Sequence, residues 1–245
     1  MRLTRVFVDA ALAVGREISL PESAAAHLGR VLRLEVGDDC VLFNGDGHDY
    51  AARITALGKR DLRVLIDDAA AVERESPLHV TLLQGIARGE KMDLVLQKAT
   101  ELGIAAIAPL WSQRSEVKLD EARAEKRLAH WRGVVIAACE QSGRACVPGV
   151  AAPVSLAAAL AALPMGGLKL TLDPEGELGL GTLALAPATP LVLAVGPEGG
   201  WSPDDRGQLR AAGFAGLRLG PRILRTETAG LAAIAALQAR FGDLV

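Results

Sequence analysis

Hydrophobic residues between Arg5 and about Asp68 come in short runs that turn-forming residues separate. The runs are RVFV, EISL, VLRLEVGDDCVLF and DLRVLI, and they predict about five β-strands. Residues 44–47 (NGDG) predict a hairpin, because Asn and Gly tolerate positive φ. Between the first strands, PESAAAHLGRVLRL predicts one short helix. This pattern is typical of a small β-barrel with a helical lid.

From residue 78 onwards, strands and helices alternate. The predicted strands are LHVTLLQGI, IAAIAPLW, LKLTLD, LVLAV and FAGLRLG. EKMDLVLQKATELG has apolar residues at helical spacing, and LDEARAEKRLAHWRGVVIAACEQSG predicts a long second helix. Alternation of this kind predicts a parallel α/β sheet. AAAVERESP is the expected linker, so we predict domains at residues 1–72 and 73–245.

Composition narrows the class of protein. Half of the 245 residues are hydrophobic, which argues against disorder, and no apolar run approaches the ~20 residues that cross a bilayer. Without a signal-peptide pattern, we expect a cytoplasmic protein. Three scattered cysteines give neither a disulfide framework nor a zinc spacing, and Cys139 is expected in the core. The net charge of −2 means that any RNA site must be local.

The segment LVLAVGPEGGWSPDD predicts a buried strand that runs into a glycine-rich turn and then a helix. Ser202 is a good N-cap, Pro203 suits the first helical position, and two acids follow. The glycines allow a ligand to approach the backbone closely. The turn lacks both GxGxxG and a phosphate-binding lysine. An uncharged group such as a purine edge, or a cation, suits this loop better than a phosphate does. A tight turn that binds no ligand is the alternative.

A second strand, turn and helix follow in LRLGPRILRTETAGLAAIAALQA. Thr226 is a plausible N-cap, and the helix behind it has so few polar residues that we expect burial on most sides. Arg222 and Arg225 precede this helix at the carboxyl edge of the sheet, where α/β proteins bind ligands. Ordinary surface arginines remain the alternative.

GPEGG and LGPRILRTETA together resemble the C-terminal motifs of the SPOUT methyltransferases, and specifically of the RsmE family, which methylates N3 of one uridine in 16S rRNA. RVLRLEVGD and LFNGDG resemble that family's PUA-like β-barrel. KMDLVLQKATELGI, PLWSQRSEVK and EQSGR resemble its central motifs, so that the resemblance covers nearly the whole chain. It implies an α/β fold with a SPOUT-type parallel sheet, a C-terminal deep trefoil knot and an N-terminal PUA-like β-barrel.

The resemblance also implies site residues by position. The pocket for S-adenosyl-L-methionine would be formed by Leu172, Gly196, Pro197, Glu198, Gly199, Gly200, Leu219, Gly220, Ile223, Leu224, Thr226, Thr228 and Ala229. Catalytic roles would fall to Arg114, Arg225 and Glu198. RNA would be bound by Arg5, His27, Arg30, Arg33, Gln141, Arg144 and Arg222. His27 could equally be a histidine on a helix surface, and no metal is expected.

These residue types suit methyl transfer to a uridine. The N3 atom must lose its proton to attack, so a guanidinium would stabilise the anion and Glu198 could accept the proton. The expected partners are 16S rRNA in the small ribosomal subunit and a second copy of the chain, with no membrane and no DNA. A non-catalytic RNA-binding or ribosome-assembly factor is the main alternative. A nucleotide hydrolase is disfavoured, because no phosphate-binding lysine accompanies the glycine-rich loop.

Overall fold

The computed structural model describes residues 4–26, 28–29, 34–58, 61–117 and 121–244. The chain divides into two compact units. Unit 1 consists of Met1–Glu75 and Ile136–Val147, and unit 2 of Ser76–Val135 and Pro148–Val245. The first division lies close to the boundary expected at residue 72. Unit 1 also has a second segment, Ile136–Val147, which we had expected in the methyltransferase domain.

Unit 1 contains one five-stranded sheet. Its elements are β1 (Arg5–Phe7), β2 (Glu17–Leu20), α1 (Glu22–Ala26), β3 (Asp39–Phe43), β4 (His48–Leu57) and β5 (Leu62–Ala71). The strand order is β1-β3-β4-β5-β2, with β1 parallel to β3 and the other pairs antiparallel. Along β4 and β5 buried residues alternate with exposed ones, so Ile54, Val64 and Ile66 enter the core. Closure of this sheet into a barrel stays a prediction.

Unit 2 contains the parallel sheet that the strand and helix alternation predicts. Its elements are β6 (Val80–Gly85), α2 (Glu90–Glu101), β7 (Ala106–Trp111), α3 (Glu121–Ser142), β8 (Gly149–Val150), β9 (Val154–Ser155), α4 (Leu156–Ala161), β10 (Leu168–Leu172), β11 (Leu178–Gly179), β12 (Leu191–Val195), α5 (Pro203–Ala211), β13 (Ala215–Arg218) and α6 (Thr226–Phe241). The last part of α3, from Ile136 onwards, is counted with unit 1.

All the strand pairs of this sheet are parallel, in the order β11-β13-β10-β12-β6-β7-β8, and β9 also pairs with β7. Every residue of β12 is buried, as expected for a strand covered on both faces. The carboxyl ends of β6, β10, β12 and β13 therefore meet at one edge, where the glycine-rich loops emerge.

The structure confirms one of the two predicted helix starts and contradicts the other. Helix α5 begins as expected, because Ser202 and Asp205 form a capping box and Pro203 occupies the first turn. Helix α6 has Arg225 as its N-cap, so the prediction of Thr226 at that position was wrong. Thr226 is the first helical residue, and its hydroxyl donates to the carbonyl oxygen of Gly196 instead. Helix α6 is buried or half-buried along most of its surface, as expected, and Thr228, Ala232 and Ala239 form one exposed side.

Two further expectations concern the core and the membrane. Cys139 is buried as predicted, and desolvation raises the pKa of its thiol to about 12. Cys40 is also buried, and desolvation raises its pKa to about 11, so neither thiol is an activated nucleophile. No helix in the described part of the chain is long and apolar enough to cross a membrane.

Candidate functional site

The loops at the carboxyl edge of the unit 2 sheet enclose a cavity of about 520 Å³. A cavity of this size is typical of a small-molecule site. The walls are the loops that follow β7, β10, β12 and β13, together with the first turns of α2, α5 and α6. The lining residues are Lys91, Arg114, Leu172, Asp173, Pro174, Val195, Gly196, Pro197, Glu198, Gly199, Gly200, Trp201, Arg206, Leu217, Leu219, Gly220, Arg222, Ile223, Leu224, Arg225, Thr226 and Ala229.

The loop after β12, residues 196–200, is held by close backbone contacts. A Cβ on Gly85, at the end of β6, would overlap the backbone nitrogen of Pro197. A Cβ on Gly199 would lie 3.0 Å from the Cβ of Arg114. Gly200 has a φ of 65°, which disfavours residues with a side chain. The packing of the loop therefore favours glycine at these positions, and Gly199 and Gly200 also line the cavity.

A buried chain of hydrogen bonds joins two walls of the cavity to the end of β6. The Gln84 Nε2 atom donates to the Thr226 Oγ1 atom at 3.0 Å, and this hydroxyl donates to the Gly196 carbonyl oxygen at 2.6 Å. Gln84 is fully buried and Thr226 is 6% exposed. The end of β6, the loop after β12 and the start of α6 are thus fixed to one another.

The cations of the cavity wall differ in how they are held. The Arg114 Nη1 atom donates to the Gly199 carbonyl oxygen at 3.2 Å, while the side chain stays exposed. Arg206 pairs with Asp173 at 3.0 Å, and hence is largely neutralised. Arg222 and Arg225 are exposed and make no ion pair with any residue that the structure describes. Arg114, Arg222 and Arg225 are therefore the cations free to meet a negatively charged partner.

The carboxylate of Glu198 has two neighbours. Its Oε1 atom accepts a hydrogen bond from the backbone nitrogen of Arg88 at 2.9 Å and lies 3.8 Å from the Nζ atom of Lys91. Lys91 also lies 3.6 Å from the Oε1 atom of Glu227. One oxygen of Glu198 thus anchors the loop to the start of α2.

The cavity brings together nearly all of the expected cofactor residues and all three expected catalytic residues. Thr228 is the exception, since it is exposed and does not line the cavity. It is the third residue of α6. Ile223 lines the cavity but is 84% exposed, as expected for a residue at the rim.

Sequence reasoning missed several lining residues, chiefly Lys91, Asp173, Pro174, Trp201 and Arg206. Asp173 and Pro174 directly follow the strand LKLTLD, so their place at a carboxyl end was a usable signal. Trp201 directly follows GPEGG and was equally accessible. Lys91 and Arg206 lie within helices, where the pattern gives no indication of a cavity.

Two of the expected RNA-binding arginines lie in the interior of unit 1. Arg5 is 8% exposed; its guanidinium pairs with Asp49 at 2.5 Å and donates to the carbonyl oxygens of Cys139 and Arg144. Arg144 is 4% exposed and pairs with Glu75. The expectation that Arg5 is part of an exposed RNA surface was wrong, because acceptors distant in the sequence surround its side chain. The role of Arg144 toward the RNA stays a prediction.

Other expected RNA-binding residues have different outcomes. Gln141 is exposed, in the last turn of α3. His27, Arg30 and Arg33 lie outside the described residues, and their role stays a prediction.

Comparison with known proteins gives two matching family models. An RNA methyltransferase domain matches residues 74–238, and an RNA methyltransferase PUA domain matches residues 20–67. The chain is 32% identical to the ribosomal RNA small subunit methyltransferase E of Buchnera aphidicola, over 99% of this chain and 98% of that protein. It is 34% identical to the Mycobacterium tuberculosis protein of the same name, over 86% and 82% of the two chains.

Two solved structures are similar along their whole length. A ribosomal RNA small subunit methyltransferase E from Neisseria gonorrhoeae, bound to S-adenosylmethionine, has a TM-score of 0.93 and 42% identity, with 100% of both chains covered. A putative methyltransferase from Legionella pneumophila, in complex with the same cofactor, has a TM-score of 0.95 and 38% identity, again with 100% of both chains covered.

Proposed function

Because the chain belongs to the RsmE family of ribosomal RNA small subunit methyltransferases, we propose that it methylates N3 of one uridine in 16S rRNA, using S-adenosyl-L-methionine. The observation that carries the proposal is the cavity of unit 2, where glycine-rich loops and unpaired arginines meet. The assembled small subunit is the proposed substrate, and the cytoplasm the proposed place of action.

The residues of the cavity fit the proposed cofactor. Loops 196–200 and 219–224 present mostly backbone groups and small or apolar side chains, which suits an adenosine. Trp201 also lines the cavity, and its buried Nε1 atom has no hydrogen-bond partner among the described residues. When bound, the cofactor supplies an electrophilic methyl group on a sulfonium.

The protein's own residues position the nucleotide and move one proton. To Arg114 and Arg225, which line the cavity, we assign the stabilisation of negative charge that develops on the base as N3 loses its proton. We assign acceptance of that proton to the Oε2 atom of Glu198, because its Oε1 atom already accepts a hydrogen bond from the backbone of Arg88. Arg222, at the exposed rim, would hold an RNA phosphate.

Two measurements test the proposed function. Titration calorimetry should show binding of S-adenosylmethionine and none of ATP. Purified protein with methyl-labelled cofactor should then label small subunits that lack the modification. A protein that binds the cofactor but labels no small subunit, at any stage of subunit maturation, would favour the non-catalytic assembly factor instead.

We assign RNA binding outside the cavity to the PUA-like domain, residues 1–72. The matching PUA model supports this assignment. Replacement of Arg30 and Arg33 by Ala should raise the KM for subunits while leaving cofactor affinity unchanged. A normal KM would remove these residues from the RNA surface.

We further propose a homodimer that covers the exposed side of α6. Thr228, Ala232 and Ala239 leave this side of an apolar helix uncovered in the single chain. Light scattering should give the mass of a dimer for the wild type and of a monomer for Ala232→Arg. A wild type that is monomeric at micromolar concentration would contradict this proposal.

The C-terminal segment is proposed to form the deep trefoil knot. The central position of β12, between β10 and β6, and the bond from Thr226 to Gly196 support this path. In a force-extension experiment, a knotted chain should stretch to less than its full contour length. Extension to the full length would contradict the knot.

A further inference from the structure

We propose that Gln84 is a positioning residue that holds the loop after β12 and the first turn of α6 in the geometry that binds the cofactor. This inference rests on the proposed function, since it concerns the same cavity. Gln84 does not line the cavity itself and would act through Thr226 and Gly196.

The directions of the hydrogen bonds define what Gln84 does. Its Nε2 atom donates to the Gly85 carbonyl oxygen at 2.9 Å and to the Thr226 Oγ1 atom at 3.0 Å. Because the Thr226 hydroxyl accepts from Gln84, its own proton is left to donate to the Gly196 carbonyl oxygen. The amide of Gln84 therefore fixes both the rotamer of Thr226 and the orientation of the Gly196 peptide.

The stability of the fold does not explain why a glutamine occupies position 84. Its Oε1 atom is buried with no hydrogen-bond partner among the described residues, which lowers the stability of the fold because the atom has lost its hydrogen bonds to water. The neighbouring positions Leu82 and Leu83 of β6 are apolar and buried, so an apolar residue of similar length would suit position 84. A polar residue kept in the core at a cost in stability points to a role in the adjacent site.

The close approach of α6 supports the same conclusion. A Cβ on Gly230 would lie 3.5 Å from the Gln84 Oε1 atom and 3.4 Å from a methyl group of Val195. Glycine at this position lets α6 pass close to β6 and β12, so that Thr226 comes within reach of Gln84. Without the amide, Thr226 keeps its place in the helix but loses the partner that orients its hydroxyl.

The test variant is Gln84→Met, which keeps the length of the side chain and removes both polar atoms. We expect affinity for S-adenosylmethionine to fall about five- to tenfold, the scale of one hydrogen bond. The midpoint of thermal unfolding should be unchanged or higher, because the unsatisfied acceptor is gone.

Gln238 provides a matched control at the other end of α6. It is also fully buried, but its Oε1 atom accepts from Ser76 at 2.6 Å and its Nε2 atom donates to the Leu102 carbonyl oxygen at 2.9 Å. Both of its polar atoms are satisfied, and neither partner lines the cavity. Gln238→Met should therefore lower the unfolding midpoint and leave cofactor affinity within twofold of the wild type.

A double-mutant cycle separates an ordered chain of bonds from two independent effects. Thr226→Val should weaken cofactor binding at least as much as Gln84→Met, and Thr226→Ser should restore most of it. The double variant of Gln84→Met and Thr226→Val should lose little more than Thr226→Val alone, because the two residues act in series. Additive losses would show that Gln84 does not act through Thr226.

The deciding experiment combines calorimetry, thermal unfolding and hydrogen exchange on the full-length protein. Affinity within twofold of the wild type for Gln84→Met, or a loss that follows a drop in stability as in Gln238→Met, would overturn the inference. Hydrogen exchange of the amides of residues 198–200 in the cofactor-free protein should be faster in Gln84→Met. The exchange measurement tests the role of Gln84 even if the wild type binds no S-adenosylmethionine. Absence of binding by the wild type would refute the proposed function but not the role of Gln84 in ordering the loop.

Discussion

The arginines of unit 1 and those of the unit 2 cavity were all expected to bind RNA or substrate, but they have different surroundings. In unit 1, Arg5 is surrounded by a carboxylate and by two carbonyl oxygens near the end of α3, and it stacks on the ring of Phe43 at 4.7 Å. In unit 2, Arg222 and Arg225 are exposed, in the loop after β13. A structural arginine therefore differs from one that is free to bind RNA in the number of hydrogen-bond acceptors within reach of its guanidinium.

The largest effect is expected for Arg5→Ala, which tests the structural half of this comparison. Removal of the buried guanidinium leaves the Asp49 carboxylate and two carbonyl oxygens without their donor, so we expect a loss of about 3 kcal/mol in the free energy of unfolding. Denaturant unfolding measures it. Arg53→Ala, in an exposed ion pair of the same sheet, should cost less than about 1 kcal/mol. Equal small losses for both variants would mean that Arg5 is not a structural residue.

Arg225→Ala tests the expectation that the arginines of the cavity are functional. We expect the single-turnover methylation rate on saturating small subunits to fall about 10²-fold, the scale of a lost oxyanion-type donor, with little change in stability. Arg225→Lys should rescue poorly, because a point charge does not reproduce the planar guanidinium. Arg218→Ala is the control, since this exposed arginine of β13 does not line the cavity. A normal rate for Arg225→Ala would make it an ordinary surface residue.

Arg114 is intermediate between the two groups, because a single carbonyl oxygen, that of Gly199, holds it. Gly199→Ala should press a methyl group against the Arg114 backbone and shift the loop, since the added Cβ would lie 3.1 Å from the Arg114 carbonyl oxygen. We expect about fivefold weaker cofactor binding by calorimetry. Gly207→Ala on α5, where a Cβ meets nothing within 4 Å, should leave the affinity unchanged. Weaker binding in both variants would point to a general loss of stability instead.

The smallest effect is expected for Arg222→Ala, which removes a cation at the rim of the cavity. The KM for subunits should rise by a few fold, with a normal rate at saturation and a weaker dependence on salt. Steady-state kinetics at two ionic strengths measure both quantities. A lower rate at saturating substrate would instead place Arg222 in the chemical step.

The sequence predicted features that depend on neighbouring residues. SPDD predicts the capping box at Ser202, and the strand and helix alternation predicts the parallel sheet. The glycine-rich turns identify the loops that line the cavity. Each of these features depends on a few consecutive residues or on a short period.

Features that depend on distant partners were not predicted. Arg5 and the Arg144 carbonyl oxygen are 139 residues apart, so nothing local marks Arg5 as buried. The start of α6 was misplaced by one residue, because the Thr226 hydroxyl bonds to Gly196, 30 residues earlier, rather than to its own helix. The same tertiary contact is part of the chain of bonds from Gln84.

The most direct test of the account is nucleoside analysis of 16S rRNA after reaction of the wild-type protein with small subunits that lack the modification. We expect close to one N3-methylated uridine per 16S rRNA, and about a hundredth of that amount with Arg225→Ala over the same short reaction. Methylation of another atom or base, or no methylation of any small-subunit preparation by a protein that binds the cofactor, would contradict it.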